Sequence, residues 1–296
     1  MDYLRPSVYE RLLLAYARHF PIRRGKLRVV NALWRSVTGN RGTQRIAKLQ
    51  HAGFEMPCDL SEMLQRQYYF FGTYFLEQAN LACWASEAKN AKIIFDVGAN
   101  AGIYSLAALA VRPDATVYAF EPTPEIASRL RETVHRNKLA NLRIHEIAIH
   151  SEAGFATLHR FRPNDNEGMN FIRSGTNPSD GERIKTTTLD QFCADNSIEE
   201  IDLLKIDIQG HEHSALLGAR NLLFSGRIRT IFLELNWSEG VDSGNPASQA
   251  VHLLDEAGYR FSEPRMPLIW QKPGPWLSTM TDAVARHARP GLSAKS

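Results

Sequence analysis

Ile93-Ile94-Phe95-Asp96-Val97-Gly98-Ala99-Asn100-Ala101-Gly102-Ile103-Tyr104-Ser105 is the stretch that decides the fold of this chain. Apolar and β-branched residues run up to an acidic residue, two glycines flank an asparagine, and a helix-compatible segment follows. The pattern predicts a buried strand, a tight turn and a helix N-terminus. Glycine lets the backbone approach a ligand closely, and the free N–H groups of a helix start favour an anionic end. In a doubly wound α/β sheet this is where a nucleotide-like ligand is held.

The spacing argues against a dinucleotide. G-x-G-x-x-G would need glycine at 100 and 103, where Asn100 and Ile103 stand, and no G-x-x-x-x-G-K-[ST] occurs. Ala115 to Phe120 reads as a second strand that ends at Glu121-Pro122, and a helix is expected from Pro124 to Lys138. A carboxylate at that strand end can accept hydrogen bonds from two ribose hydroxyls. D-x-G-x-N-x-G followed by a strand ending Glu-Pro resembles the S-adenosylmethionine methyltransferase pattern. That cofactor has a ribose and a carboxylate but no phosphate, so the turn needs no Lys or Arg.

The remaining order fits. Leu142 to Ile149 reads as a third strand, with Ala148 small enough for adenine to lie against the backbone. Ile201 to Glu212 and Ile231 to Trp237 supply fourth and fifth strands, with a Glu212–Leu223 helix between them. D-V-G-A-N-x-G-x-Y-S, F-E-P, Thr188-Leu189-Asp190 and D-L-L-K-I-D-I-x-G-x-E, in this order, resemble the FkbM family of methyltransferases. Upstream, Asp59-Leu60, Gln65-Arg66-Gln67 and Tyr69-Phe70-Phe71-Gly72 resemble that family's lead-in, so the likeness spans 54–265. One departure is Gln209, where members commonly carry Glu; an amide can hydrogen-bond but cannot act as a base or charged metal ligand.

The resemblance implies a Rossmann-like class I methyltransferase sheet, α/β and mostly parallel with an antiparallel last strand. It implies S-adenosylmethionine as cofactor, surrounded by Asp96, Gly98, Asn100, Gly102, Tyr104, Glu121, Ala148 and Asp207. It also supplies the acceptor class: O-methylation of a hydroxyl on a sugar, glycan or natural-product scaffold. The alternatives are N-methylation of a small molecule and a non-catalytic cofactor-binding partner subunit.

Methyl transfer from a sulfonium is an in-line displacement that needs alignment and removal of the acceptor proton. Asp207, at the mouth of the fourth strand, is the candidate to orient cofactor and acceptor or to take that proton. His211 is the candidate base and His213 a second one, because imidazole titrates near neutral pH. A metal-assisted version would place Mg²⁺ on Asp207, Glu234 and Asn236, oxygen ligands at neighbouring strand ends; it is the less favoured form.

At 296 residues and 44% hydrophobic content the chain can bury one large core. Cys58, Cys83 and Cys193 form no C-x-x-C pair, which suits a reducing cytosol. No apolar run approaches the roughly 20 residues of a spanning helix, and the N-terminus lacks a signal-peptide core. A cytoplasmic protein is expected, with peripheral membrane contact left open. Residues 1–50 hold eleven Lys/Arg against Asp2 and Glu10, a net of +9; the whole chain carries +3, which leaves about −6 on the other 246. This basic segment also has helical spacing, with Tyr9, Leu12, Leu13, Tyr16 and Phe20 as one apolar stripe. It reads either as a packed helical cap or as a platform for an anionic or lipid-linked surface. No nucleic-acid recognition motif accompanies it. A homodimer is open.

The organisation expected is a basic helical extension (1–50), a helical lead-in (51–90), a cofactor-binding domain (91–271) with an insertion (151–190), and a peripheral tail (272–296). Aromatic residues 67–75 are expected in packing, with a substrate-stacking wall as the alternative. The insertion reads as a hairpin, 154–160 with 183–189, whose polar connection (163–181) is a candidate lid. Residues 246–258 read as a helix, and 259–261 and 268–270 as the last antiparallel strands.

Overall fold

The computed structural model describes residues 3–21, 25–39, 42–50, 53–74, 78–159, 171–173, 181–236, 245–262 and 280–287. Helix α1 (Val8–His19) starts at a capping box: Glu10 N–H donates to Ser7 Oγ at 3.0 Å, and Ser7 N–H to Glu10 Oε2 at 3.4 Å. Helix α2 (Lys26–Thr38) runs back along it, with Ser7 Oγ donating to Val37 O and Lys26 Nζ to Ala17 O. Strands β1 (Gln44–Lys48) and β2 (Glu55–Asp59) form an antiparallel hairpin, followed by α3 (Met63–Phe71) and α4 (Gln78–Ala88). The division expected at 50/51 thus falls inside a hairpin.

Two features of this region differ from the expected stripe. Glu10, Leu13 and Ala17 form the buried face of α1, whereas Tyr9, Leu12 and Phe20 are exposed. Glu10 is inside because Arg45 of β1 meets it there. Arg45 Nε lies 2.7 Å from Glu10 Oε1 and Nη2 3.2 Å from Oε2, and Tyr69 Oη donates to Oε1 at 2.6 Å. Both charged side chains are 0% exposed, and the fork-shaped pairing satisfies groups that burial would otherwise penalise. Tyr68, Tyr69, Phe70 and Phe71 of α3 are core residues, so the packing reading of the aromatic run holds for them.

The central sheet begins with β3 (Ile93–Val97), α5 (Ile103–Val111), β4 (Thr116–Phe120), α6 (Pro124–Asn137) and β5 (Leu142–His145). Its strands are apolar runs buried on both faces, as a helix-covered parallel sheet requires. The chain then leaves this sheet. A second, four-stranded sheet contains β6 (Ala148–Ile149), β7 (Gly154–His159), β8 (Phe171–Arg173) and β9 (Glu182–Thr187), in the order β6-β9-β7-β8. The single strand expected over 142–149 is therefore two strands in different sheets. Strands β7 and β9 pair antiparallel; most of the candidate lid lies outside the described residues.

Helix α7 (Leu189–Asp195) leads back to β10 (Ile201–Ile206), α8 (Glu212–Leu217), α9 (Arg220–Phe224), β11 (Ile228–Asn236), α10 (Pro246–Glu256), β12 (Tyr259–Ser262) and β13 (Met280–His287). The seven-stranded order is β12-β13-β11-β10-β3-β4-β5, and only β13 runs against its neighbours. The fold is α/β, as expected, but the reversed strand comes from the segment expected to be a peripheral tail. Met280–His287 lies between β11 and β12, with Ala285 fully buried; residues 268–270 lie outside the described residues. Strand order reverses between β3 and β10, which opens a crevice at their carboxyl ends. No helix among the described residues is long and apolar enough to cross a membrane.

The buried Glu10–Arg45 pair yields a stability prediction. Arg45→Met strands a buried carboxylate and lowers stability by about 3–5 kcal/mol in urea denaturation, whereas adding Glu10→Leu restores most of it. An unchanged midpoint for Arg45→Met would contradict the pairing.

Candidate active site

At the end of β3 the chain passes so close to the end of β10 that only glycine fits. Gly98 has φ +78°, and a Cβ there would lie 1.9 Å from Asp207 O. Asp207 N–H donates to Val97 O at 3.1 Å, and the N–H groups of Gly98 and Ala99 both donate to Phe120 O at 3.0 Å. Gly102, with φ +80°, precedes α5 and leaves no room for a Cβ against Leu130. One turn thus binds the ends of β10, β3 and β4 together.

Glu121 follows β4 directly and is nearly buried. Its Oε2 accepts the Asn100 N–H at 3.0 Å and its Oε1 the Thr123 N–H at 2.9 Å. The carboxylate is anchored by backbone on both oxygens. Asn100 adopts φ +47°, which aims its N–H at Glu121.

Asp96 sits beneath the turn. Its Oδ2 accepts Ser105 N–H at 3.0 Å and Ser105 Oγ–H at 2.6 Å, tying β3 to the first turn of α5. Its Oδ1 is buried without a hydrogen-bond partner, with Lys205 Nζ 3.8 Å away. Burial pushes this carboxyl upward, against the pull of the Lys205 ammonium and the Ser105 hydrogen bonds. Lys205 Nζ also lies 2.9 Å from Asp207 Oδ2 and 4.6 Å from the centre of the Tyr104 ring. Tyr104 in turn packs edge-on against Trp84.

Asp207 is the most exposed of this carboxylate–lysine group, its side chain 30% accessible. Burial would raise its carboxyl, but the Lys205 ammonium and hydrogen bonding with Glu234, Lys205 and Gln209 hold it below the usual carboxylate range. The Gln209 amide bridges two acids: Nε2 donates to Asp207 Oδ1 at 3.0 Å and to Glu234 Oε2 at 2.8 Å. Gln209 reaches them from a left-handed backbone conformation, φ +54°. Asn236 ends β11; its side chain lies outside the described residues. Among the described residues no cluster of three His, Cys, Asp or Glu could hold a metal ion.

The loop from 208 to 211 is pinned by Glu212. This buried carboxylate accepts Ile208 N–H at 3.0 Å and Gly210 N–H at 3.1 Å. His211 stands at the cap of α8, half-buried at the crevice end of β10. His213 is two residues further along, inside α8, and burial lowers its imidazole, favouring the neutral form. Ala148 lies in β6, and its side chain is packed in a small core with Leu158 and Ile184, so it has only backbone to offer a ligand. Lys205 and Gln209 are members of this site to which the sequence reading gave no role. Strand alternation carried a signal for the first, since Lys205 and Asp207 are two residues apart and share a face.

Glu212 gives a pH-dependent prediction. Burial pushes its carboxyl up from 4.5 to about 7. The folded state therefore retains a proton that the unfolded chain has released, and stability falls as pH rises through that window. Glu212→Gln keeps an oxygen for both loop N–H groups without the charge. Its stability relative to the parent should increase between about pH 5 and about pH 8, by about 3 kcal/mol at the upper end. Parallel denaturation curves would contradict this.

Residues 96–261 match the family described as the methyltransferase FkbM domain. The chain is 30% identical over 210 residues to the 31-O-demethyl-FK506 methyltransferase FkbM of Streptomyces tacrolimicus, covering 62% of this chain and 78% of that protein. It is 29% identical over 178 residues to the 2-O-methyltransferase NoeI of Sinorhizobium fredii, covering 55% and 70%. Over 184 residues it is 27% identical to the hexuronic acid methyltransferase AglP of Haloferax volcanii, covering 61% and 69%. The crevice geometry and these matches agree: the chain belongs to the FkbM family of S-adenosylmethionine-dependent methyltransferases.

Proposed function

We propose that this chain methylates a hydroxyl oxygen on a sugar or other natural-product scaffold. The single observation that carries the reading of the site is the doubly anchored Glu121 carboxylate beside a turn with no Lys or Arg between 93 and 105. Such a turn suits a nucleoside ligand without phosphates. The tight Gly98 cradle and the unpartnered Asp96 Oδ1 are consistent with S-adenosylmethionine. The acceptor class rests on the relatives, whose names specify O-methylation, a 2-O position and a hexuronic acid.

When bound, S-adenosylmethionine supplies an electrophilic methyl group for in-line displacement. Glu121 would hold the ribose hydroxyls. Asp207 is kept anionic by Lys205, which makes it a poor base and a good partner for positive charge. It therefore orients the cationic cofactor and the acceptor. The acceptor proton goes to His211, which stands at the crevice end of β10, four residues beyond Asp207. Lying where a cation would otherwise join Asp207 to Glu234, the Gln209 amide supports catalysis without Mg²⁺.

Three outcomes test this reading. Glu121→Ala should weaken S-adenosylhomocysteine binding roughly 10- to 100-fold in calorimetry, through lost charged hydrogen bonds; unchanged affinity would misplace the ribose. His211→Ala should lower kcat about 100-fold or more while leaving that affinity intact, and normal turnover would put the base elsewhere. EDTA should leave turnover unaffected, whereas loss restored by Mg²⁺ would assign a metal to Asp207 and Glu234.

A further inference from the structure

The outer surface of the α1–α2 hairpin combines two features rarely left together in water. On α1 the side facing away from Glu10, Leu13 and Ala17 carries Val8, Leu12 and Ala15, spaced i, i+4, i+7. Val8 is 70% exposed, Leu12 63% and the flanking Tyr9 72%. On α2, Val29 and Leu33, again four apart, are exposed as well. Arg5, Arg11, Arg28 and Arg35 are exposed on the same hairpin.

Positions 3–50 themselves supply no surface carboxylate to balance these cations. Glu10 is the only acidic residue between positions 3 and 50, and it is fully buried against Arg45. A helical cap that merely packs on a domain has no need of an outward apolar stripe, and its charges ordinarily come in both signs. A nucleic acid would match the arginines but leave Val8, Leu12 and Tyr9 in water. A second copy of the hairpin would bring like charges together. An anionic lipid surface satisfies both features, with apolar side chains below the headgroups and arginines on the phosphates.

We propose that the α1–α2 hairpin docks this protein on an anionic lipid bilayer, with Val8, Tyr9 and Leu12 inserted and Arg5, Arg11, Arg28 and Arg35 at the headgroups. Tyrosine suits the boundary because its ring is apolar and its hydroxyl stays wet. The surface is independent of the methyl-transfer site and holds whatever the acceptor proves to be.

The test is co-sedimentation of this 296-residue chain with vesicles of phosphatidylcholine alone or mixed with phosphatidylglycerol. Binding is expected to the mixed vesicles only, and to fall as salt screens the charges. Leu12→Asp, at an exposed position, should reduce binding about tenfold or more without changing Tm or S-adenosylhomocysteine affinity. A double Arg11→Glu, Arg28→Glu variant should abolish it. Absence of binding to mixed vesicles, or binding untouched by Leu12→Asp, would overturn the proposal. So would sedimentation showing that Leu12→Asp instead dissociates a dimer that ignores both vesicle types.

Discussion

The contact between the β3 turn and the backbone of Asp207 is the constraint on which the site depends. A Cβ at position 98 would collide with the Asp207 carbonyl, so glycine sets how closely β3 and β10 can end beside one another. The same turn sends two N–H groups to Phe120 O and a third, from Asn100, to Glu121. Three strand ends are held in one constellation by backbone hydrogen bonds, which fix positions more tightly than flexible side chains do. Two carboxylates, Glu121 and Asp207, then face the crevice from opposite sides of the reversal in strand order.

The electrostatics of the crevice follow from one lysine. Lys205 is nearly buried and serves Asp96 and Asp207 together, while the Tyr104 ring covers it. The ammonium helps to hold Asp207 below the usual carboxylate range, and an anionic Asp207 suits a cationic cofactor. Gln209 joins Asp207 to Glu234 with a neutral amide, so the acids are held by hydrogen bonds at no further gain or loss of charge. Its left-handed backbone is a local cost of the kind that functional loops carry. Glu212, gathering two loop N–H groups from below, keeps that conformation in place.

Legibility in the sequence followed the range of the interactions. The β3 turn, the acid ending β4 and the Lys-Ile-Asp strand end are local patterns of glycine, alternation and charge, and the α/β architecture could be read from them. The β1–β2 hairpin could not, because Arg45 reads as a surface residue until Glu10, 35 positions earlier, is placed against it. For the same reason the α1 stripe does not form one buried face: Glu10 and Leu13 are inside, whereas Tyr9, Leu12 and Phe20 are outside. Strand β13 was hidden by its composition, since Met-Thr-Asp-Ala-Val-Ala-Arg-His has little apolar bulk and gains its place by pairing with β11 and β12. The change of sheet after His145 is equally non-local, since β6, which carries Ala148, pairs with β9, which comes much later in sequence.

Fixed carboxylates in this crevice suit a nucleoside cofactor without phosphates. Calorimetric titration of the purified protein with S-adenosylhomocysteine, in parallel with NADH, tests this most directly. One-to-one binding of the first at micromolar affinity is expected, with no measurable heat from the second. NADH binding, or silence toward S-adenosylhomocysteine from well-folded protein, would contradict it.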